Sequence, residues 1–256
     1  MFPLSDPDLV RRSRAYVNYG LILLNAAVFL YELTLGSVER TVFFYRWGLI
    51  PQELARGVEY ATLTLGYTSV DIQSTLLGSV VPTWGTVFTS MFIHGGFMHF
   101  VGNMVFLWVF GDDVEDRLGH LKYLLFYLVC GLAATWTQTA ANMDSQVPNI
   151  GASGAIAGVL GAYLVLYPYS RVRTLVVFIF ITVVRVPAVY LLGVWFILQF
   201  FNGLGSLGPA AQTTGVAYWA HVGGFVAGLV LVVLYLKLKG EPVWPQYRRT
   251  PWVWLR

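Results

Sequence analysis

Residues 151–168 read GASGAIAGVLGAYLVLYP. The run carries no charge and is apolar all round, so it reads as a helix buried in a membrane protein rather than a surface helix or an alternating strand. It is also short. Residues 153–167 make about 22 Å of helix, whereas the hydrocarbon core of a bilayer needs about 30 Å. Pro168 and Arg171 end the run on one side. The helix therefore starts roughly 8–10 Å below the opposite membrane face, by the same rise and thickness. The residue at that start is Ser153, and irregular backbone at such depth implies a protein-lined or water-holding cavity.

Working outward, the composition agrees. The chain is 57% hydrophobic and 11% charged, against about 25% charged for a soluble domain. The expected fold is an all-α membrane protein of six transmembrane helices, over about 17–35, 87–110, 121–141, 153–167, 186–201 and 216–236. Its fourth span is short, and its first loop, about 36–86, is long, aromatic and membrane-associated. Residues 1–240 form the six-span core. Residues 241–256, with Trp244, Trp252 and Trp254, form an interfacial cytoplasmic tail.

Thirteen of the 16 Lys and Arg residues fall on one side of this topology. The positive-inside rule then puts both termini in the cytoplasm, and a prokaryotic inner membrane is the expected location. A net charge of +3 without a Lys/Arg-rich run argues against a nucleic-acid partner. Cys130 is the single cysteine, so no intrachain disulfide forms, and it reads as a small buried apolar residue. A straight helix through 175–201 buries Arg185 at a cost of several kcal/mol. Residues 174–184 are therefore expected at the cytoplasmic interface, with the fifth span starting at Pro187.

His221 pairs naturally with Ser153. It opens the sixth span in Ala220-His221-Val222-Gly223-Gly224, and Gly228 follows one turn after Gly224. Ser153, Ala157 and Gly161 repeat at the same spacing on the fourth span, with Gly154 and Gly158 alongside. Small residues so spaced let two helices approach closely, which would bring nucleophile and base within reach. No Asp or Glu lies in either span, so a dyad is expected rather than a triad.

His99 and Asn103, four apart on the second span, share a face and can donate to a developing oxyanion together with the Ser153 N–H. His94 is expected to bond loop backbone and support the site. Asp112, Asp113, Glu115 and Asp116 are expected to pair with Arg117 and Lys122, and His120 to be solvated. A zinc protease needs His-Glu-x-x-His, and no glutamate lies between or beside His94 and His99. No carboxylate pair sits within facing spans, and ionisable groups near mid-membrane, as a transporter requires, are lacking.

Together these segments resemble the rhomboid family: His94-x4-His99-x3-Asn103, Gly151-Ala-Ser153-Gly154, and Ala220-His221-x2-Gly224-x3-Gly228, on spans two, four and six. The resemblance implies an intramembrane serine endopeptidase that cleaves single-span membrane proteins near the outer membrane face, without metal or other cofactor. It implies Ser153 and His221 as catalytic residues and His99 with Asn103 as oxyanion residues. His94, Gly151, Gly154, Gly224 and Gly228 then support the site. The partners implied are transmembrane substrates and the lipid bilayer. The alternative is a catalytically silent rhomboid-like protein that binds or escorts membrane segments. Such relatives usually lack the serine or the histidine, and this chain keeps both. Two positions depart from the family pattern. Arg46-Trp47 stands in reverse of the usual Trp-Arg pair, and Ala157 stands where some members stack a tyrosine on the histidine.

Overall fold

The computed structural model describes residues 2–9, 11–57, 62–65, 68–71, 81–177, 181–207 and 215–243. Most of the 241–256 tail, including its tryptophans, and much of the first loop lie outside these residues.

The long apolar blocks form helices: α1 (Tyr16–Thr34), α5 (Phe97–Leu118), α6 (His120–Ala141), α7 (Ser153–Leu166), α8 (Ala188–Gly205) and α9 (Tyr218–Leu238). Between α1 and α5 the first loop carries α2 (Ser37–Trp47), α3 (Pro51–Arg56) and α4 (Thr83–Thr89). It also carries a backbone hairpin of β2 (Thr62–Leu65) and β3 (Thr68–Asp71). Among the described residues four helices, α1, α6, α8 and α9, are long and apolar enough to cross a membrane, and α4 with α5 makes a fifth if the bent pair is one span. The protein is thus a multi-pass membrane bundle.

The second span differs from its expected bounds of 87–110. The chain breaks after the 3-10 turn Ser90–Phe92, bends by 82°, and restarts as α5 at Phe97. The helix then runs on through its charged end to Leu118. His94, Gly95 and Gly96 occupy the bend, where the glycines weaken helix continuation.

The short helix is the axis of the bundle. α7 is buried along almost its whole length, with α9, α6 and α5 packed around it. Glycine makes the approach to α9 possible. A Cβ at Gly224 would land on the Gly154 carbonyl oxygen, and one at Gly228 on that of Gly158. Cys130 from α6 covers Gly158 and is fully buried, as expected of a small apolar residue.

A three-stranded antiparallel sheet adds to the bundle. β4 (Arg171–Val177) and β5 (Ile181–Pro187) form a hairpin in the segment expected to lie along the interface, and β1 (Phe2–Ser5) pairs with β4 through Phe2↔Leu175. Both hairpin strands are rich in Val and carry Thr, which favour extended backbone. Pro187 is the residue before α8, as expected from its fixed φ.

The acidic end of α5 does not pair with Arg117 and Lys122. Arg11 takes Asp112 at 2.9 Å and Asp113 at 2.8 Å. Asp116 accepts the backbone N–H groups of Arg12 and Ser13. Glu115 accepts the N–H groups of Val17 and Asn18 at 3.0 and 2.7 Å, and also contacts His120. Arg117 instead pairs with Glu241, and Lys122 lies over the Tyr235 ring at 5.5 Å. Neighbours in sequence point to different sides of a helix, so the carboxylates meet the N-terminal segment instead.

Candidate active site

Ser153 is the first residue of α7, and the backbone just before it is unusual. Gly151 has φ 125°, a conformation L side chains rarely adopt. A Cβ there would lie 2.8 Å from His99 Nε2, so the missing side chain keeps open the space between His99 and Ser153. The Gly151 N–H donates to Ser90 O at 2.9 Å. The first loop braces the same stretch: Leu49 and Asn149 exchange backbone hydrogen bonds, Thr89 Oγ1 donates to Trp47 O, and Arg56 pairs with Asp144. The serine is thus set by elements from both sides of α5.

His221 lies in the first turn of α9. Its Nε2 is 2.8 Å from Ser153 Oγ, within the reach that a nucleophile and base require. The glycine ridges of α7 and α9 bring the two to this distance. Gln138 on α6 accepts the Ala220 N–H at 3.1 Å and steadies the same turn.

His99 and Asn103 line a cavity of about 910 Å³ that also holds Ser153 and His221. Asn103 is 7% exposed. Its buried Nδ2 has no acceptor among the described residues, so a donor with unused capacity lies at the cavity wall. His94 is fully buried behind His99, with ring centroids 5.2 Å apart and further edge contacts to Phe29 and Phe100. Its ring meets the Phe92 backbone, as expected of a residue bonded to the loop, and its backbone N–H donates to the buried Glu32 carboxylate of α1 at 3.0 Å.

Two residues near the histidine went unread in the sequence. Gln199 Oε1 lies 2.8 Å from His221 Nδ1. The Trp195 ring lies 5.8 Å from the imidazole at 37°. They stand one turn apart on α8, and Gln199 meets the ring nitrogen that does not face Ser153. The available signal was a glutamine within the apolar run 188–201, where a polar side chain marks a specific partner. Nothing local identifies that partner as His221.

A chain able to do acyl-transfer chemistry needs a nucleophile, a base and oxyanion donors around one space, and this cavity brings all of those residue types together. Comparison with known proteins points the same way. The family profile described as Rhomboid domain matches residues 82–238. The chain is 29% identical over 149 residues to Rhomboid protein 1, mitochondrial, of Saccharomyces cerevisiae, covering 57% of this chain and 40% of that protein. It is 38% identical over 81 residues to Rhomboid protease GluP of Bacillus subtilis, covering 32% and 15%. It is 27% identical over 202 residues to Rhomboid-like protein 11, chloroplastic, of Arabidopsis thaliana, covering 73% and 68%. The chain spans less than half the length of several curated relatives that it matches.

Proposed function

The chain belongs to the rhomboid family, and from that membership we propose that it is an intramembrane serine endopeptidase cleaving single-span membrane proteins near the outer membrane face. The observation that carries the proposal is the 2.8 Å approach of His221 Nε2 to Ser153 Oγ at a cavity lined by His99 and Asn103. Similarity to Rhomboid protease GluP and to Putative rhomboid protease YdcA of Bacillus subtilis supports a protease role.

In this reading His221 Nε2 takes the Ser153 proton as Oγ attacks the substrate carbonyl carbon. The C–O bond forms and the carbonyl oxygen becomes an oxyanion. Asn103 Nδ2, His99 and the Ser153 N–H then donate to that oxygen. As the C–N bond breaks, His221 returns the proton to the leaving amine. Water, activated by the same histidine, hydrolyses the acyl-enzyme. Gly151 leaves room for the oxyanion, and His94 packs edge-on behind His99 to hold it.

The reading includes six membrane-crossing elements, with the 14-residue α7 as the fourth. It puts both termini in the cytoplasm, treats residues 1–240 as the core and 241–256 as an interfacial tail, and rests the first loop against the membrane. The test is cleavage of a single-span reporter by purified protein in lipid nanodiscs. Ser153→Ala and His221→Ala are each expected to abolish it. A Ser153→Ala protein that still cleaves would sink the assignment.

A further inference from the structure

We propose that Gln199 is the positioning residue of His221, so that the base is oriented from α8 rather than from the helix that carries the nucleophile. The inference rests on reading Ser153 and His221 as the dyad. The amide oxygen of glutamine can only accept, so the Nδ1 that faces it at 2.8 Å carries the hydrogen. A neutral imidazole then keeps its lone pair on Nε2, the nitrogen 2.8 Å from Ser153 Oγ. Gln199 thereby selects the one tautomer that can take the serine proton. Among the described residues no carboxylate bonds this ring, so the amide does the work that a triad's acid does elsewhere.

Trp195 completes the support. It lies one turn before Gln199 on α8, and its ring flanks the imidazole. Ala157 on α7 offers only a methyl group at the place of the family's stacking tyrosine. α8 therefore gives the ring one hydrogen bond and one aromatic face, beside the Ser153 contact and an edge contact from Tyr218 of α9. α8 is the least buried of the four long spans, with 22% of its apolar window inside the protein, and it packs chiefly on α9. A shift of α8 removes both supports at once, which ties the readiness of the base to the position of this helix.

The experiment uses the full chain in nanodiscs. It reads the rate of Ser153 labelling by a fluorophosphonate probe, and kcat and KM for a single-span reporter. Gln199→Met keeps size but lacks the acceptor. Its kcat and labelling rate are expected to fall by about tenfold to a hundredfold, with KM and the thermal midpoint little changed. Gln199→Glu keeps an acceptor oxygen and is expected to recover most of that loss. A Gln199→Met protein as fast as wild type overturns the proposal, and so does a folded Gln199→Glu protein as slow as Gln199→Met. Should Gln199→Met fail to fold, nitrogen NMR of labelled histidine in the wild-type protein decides. An Nδ1–H tautomer at His221 is expected, and an Nε2–H tautomer overturns the proposal. Failure of the enzyme reading itself looks different: wild-type Ser153 does not label at all.

Discussion

At single residues, the site depends on atoms that are missing as much as on those present. Gly224 faces the Gly154 carbonyl so closely that a methyl group has no space. Gly224→Ala must push α9 from α7 or tilt it, and His221 rides on the same turn of α9. An overpacked contact of this kind costs about 1–3 kcal/mol. Misplacing a reacting group by about an ångström costs on the order of a hundredfold in rate. Activity should therefore fall far more than the thermal midpoint suggests. Gly193→Ala on α8 provides the comparison, because a Cβ there meets nothing within 4 Å. It is expected to leave reporter cleavage and thermal midpoint unchanged. Equal losses in the two variants would show that close α7–α9 packing is not what sets the Ser153–His221 distance.

Among elements, the N-terminal segment binds the bundle together. α1 begins after Ala15, which has no side chain to cap it, and Glu115 of α5 supplies the acceptor from another helix. A carboxylate there also meets the positive end of the helix dipole. Arg11 holds two nearly buried carboxylates, and its own side chain is 35% exposed. Breaking a fully buried pair costs about 3–5 kcal/mol. Solvent around the guanidinium reduces this, so Arg11→Met should destabilise by about 1–2 kcal/mol in reversible unfolding.

The sheet should also respond to pH. Burial pushes the Asp6 carboxyl above its ordinary value, against hydrogen bonds from Ser170 Oγ and the Asp8 N–H. A raised folded-state pKa means that the docked strand holds a proton better than the free one. Its docking is then fully favourable below the ordinary carboxylate range and weakens as pH rises through the raised value. Amide exchange at residues 2–5 is expected to quicken beyond its intrinsic pH dependence over that window. In Asp6→Asn the extra dependence should vanish. If it persists, another group controls docking.

For the whole molecule, the testable property is orientation. Met143, 53% exposed in the loop before α7, and Lys239, after α9, lie at opposite ends of the bundle. Cys130 is fully buried, so the native thiol contributes little background. An impermeant thiol reagent added to intact cells is expected to label Met143→Cys but to reach Lys239→Cys only after permeabilisation. The reverse pattern would place both termini outside and Ser153 with His221 near the inner face.

The helical blocks and the approach of His221 to Ser153 were legible along the chain. Apolar run length, the short span after Gly151 and the four-residue glycine spacing are properties of contiguous chain, and hydrophobic burial acts on them locally. The bounds of α1, α6, α7 and α9 were legible to within two residues for the same reason. Other contacts depend on the packed fold. Phe2 finds Leu175 and Arg11 finds Asp112 across most of the chain. Glu32 reaches the His94 N–H, and Gln199 reaches the imidazole. Hydrogen bonds and ion pairs act over a few ångströms in space whatever the distance along the chain, so their partners exist only once the helices have packed.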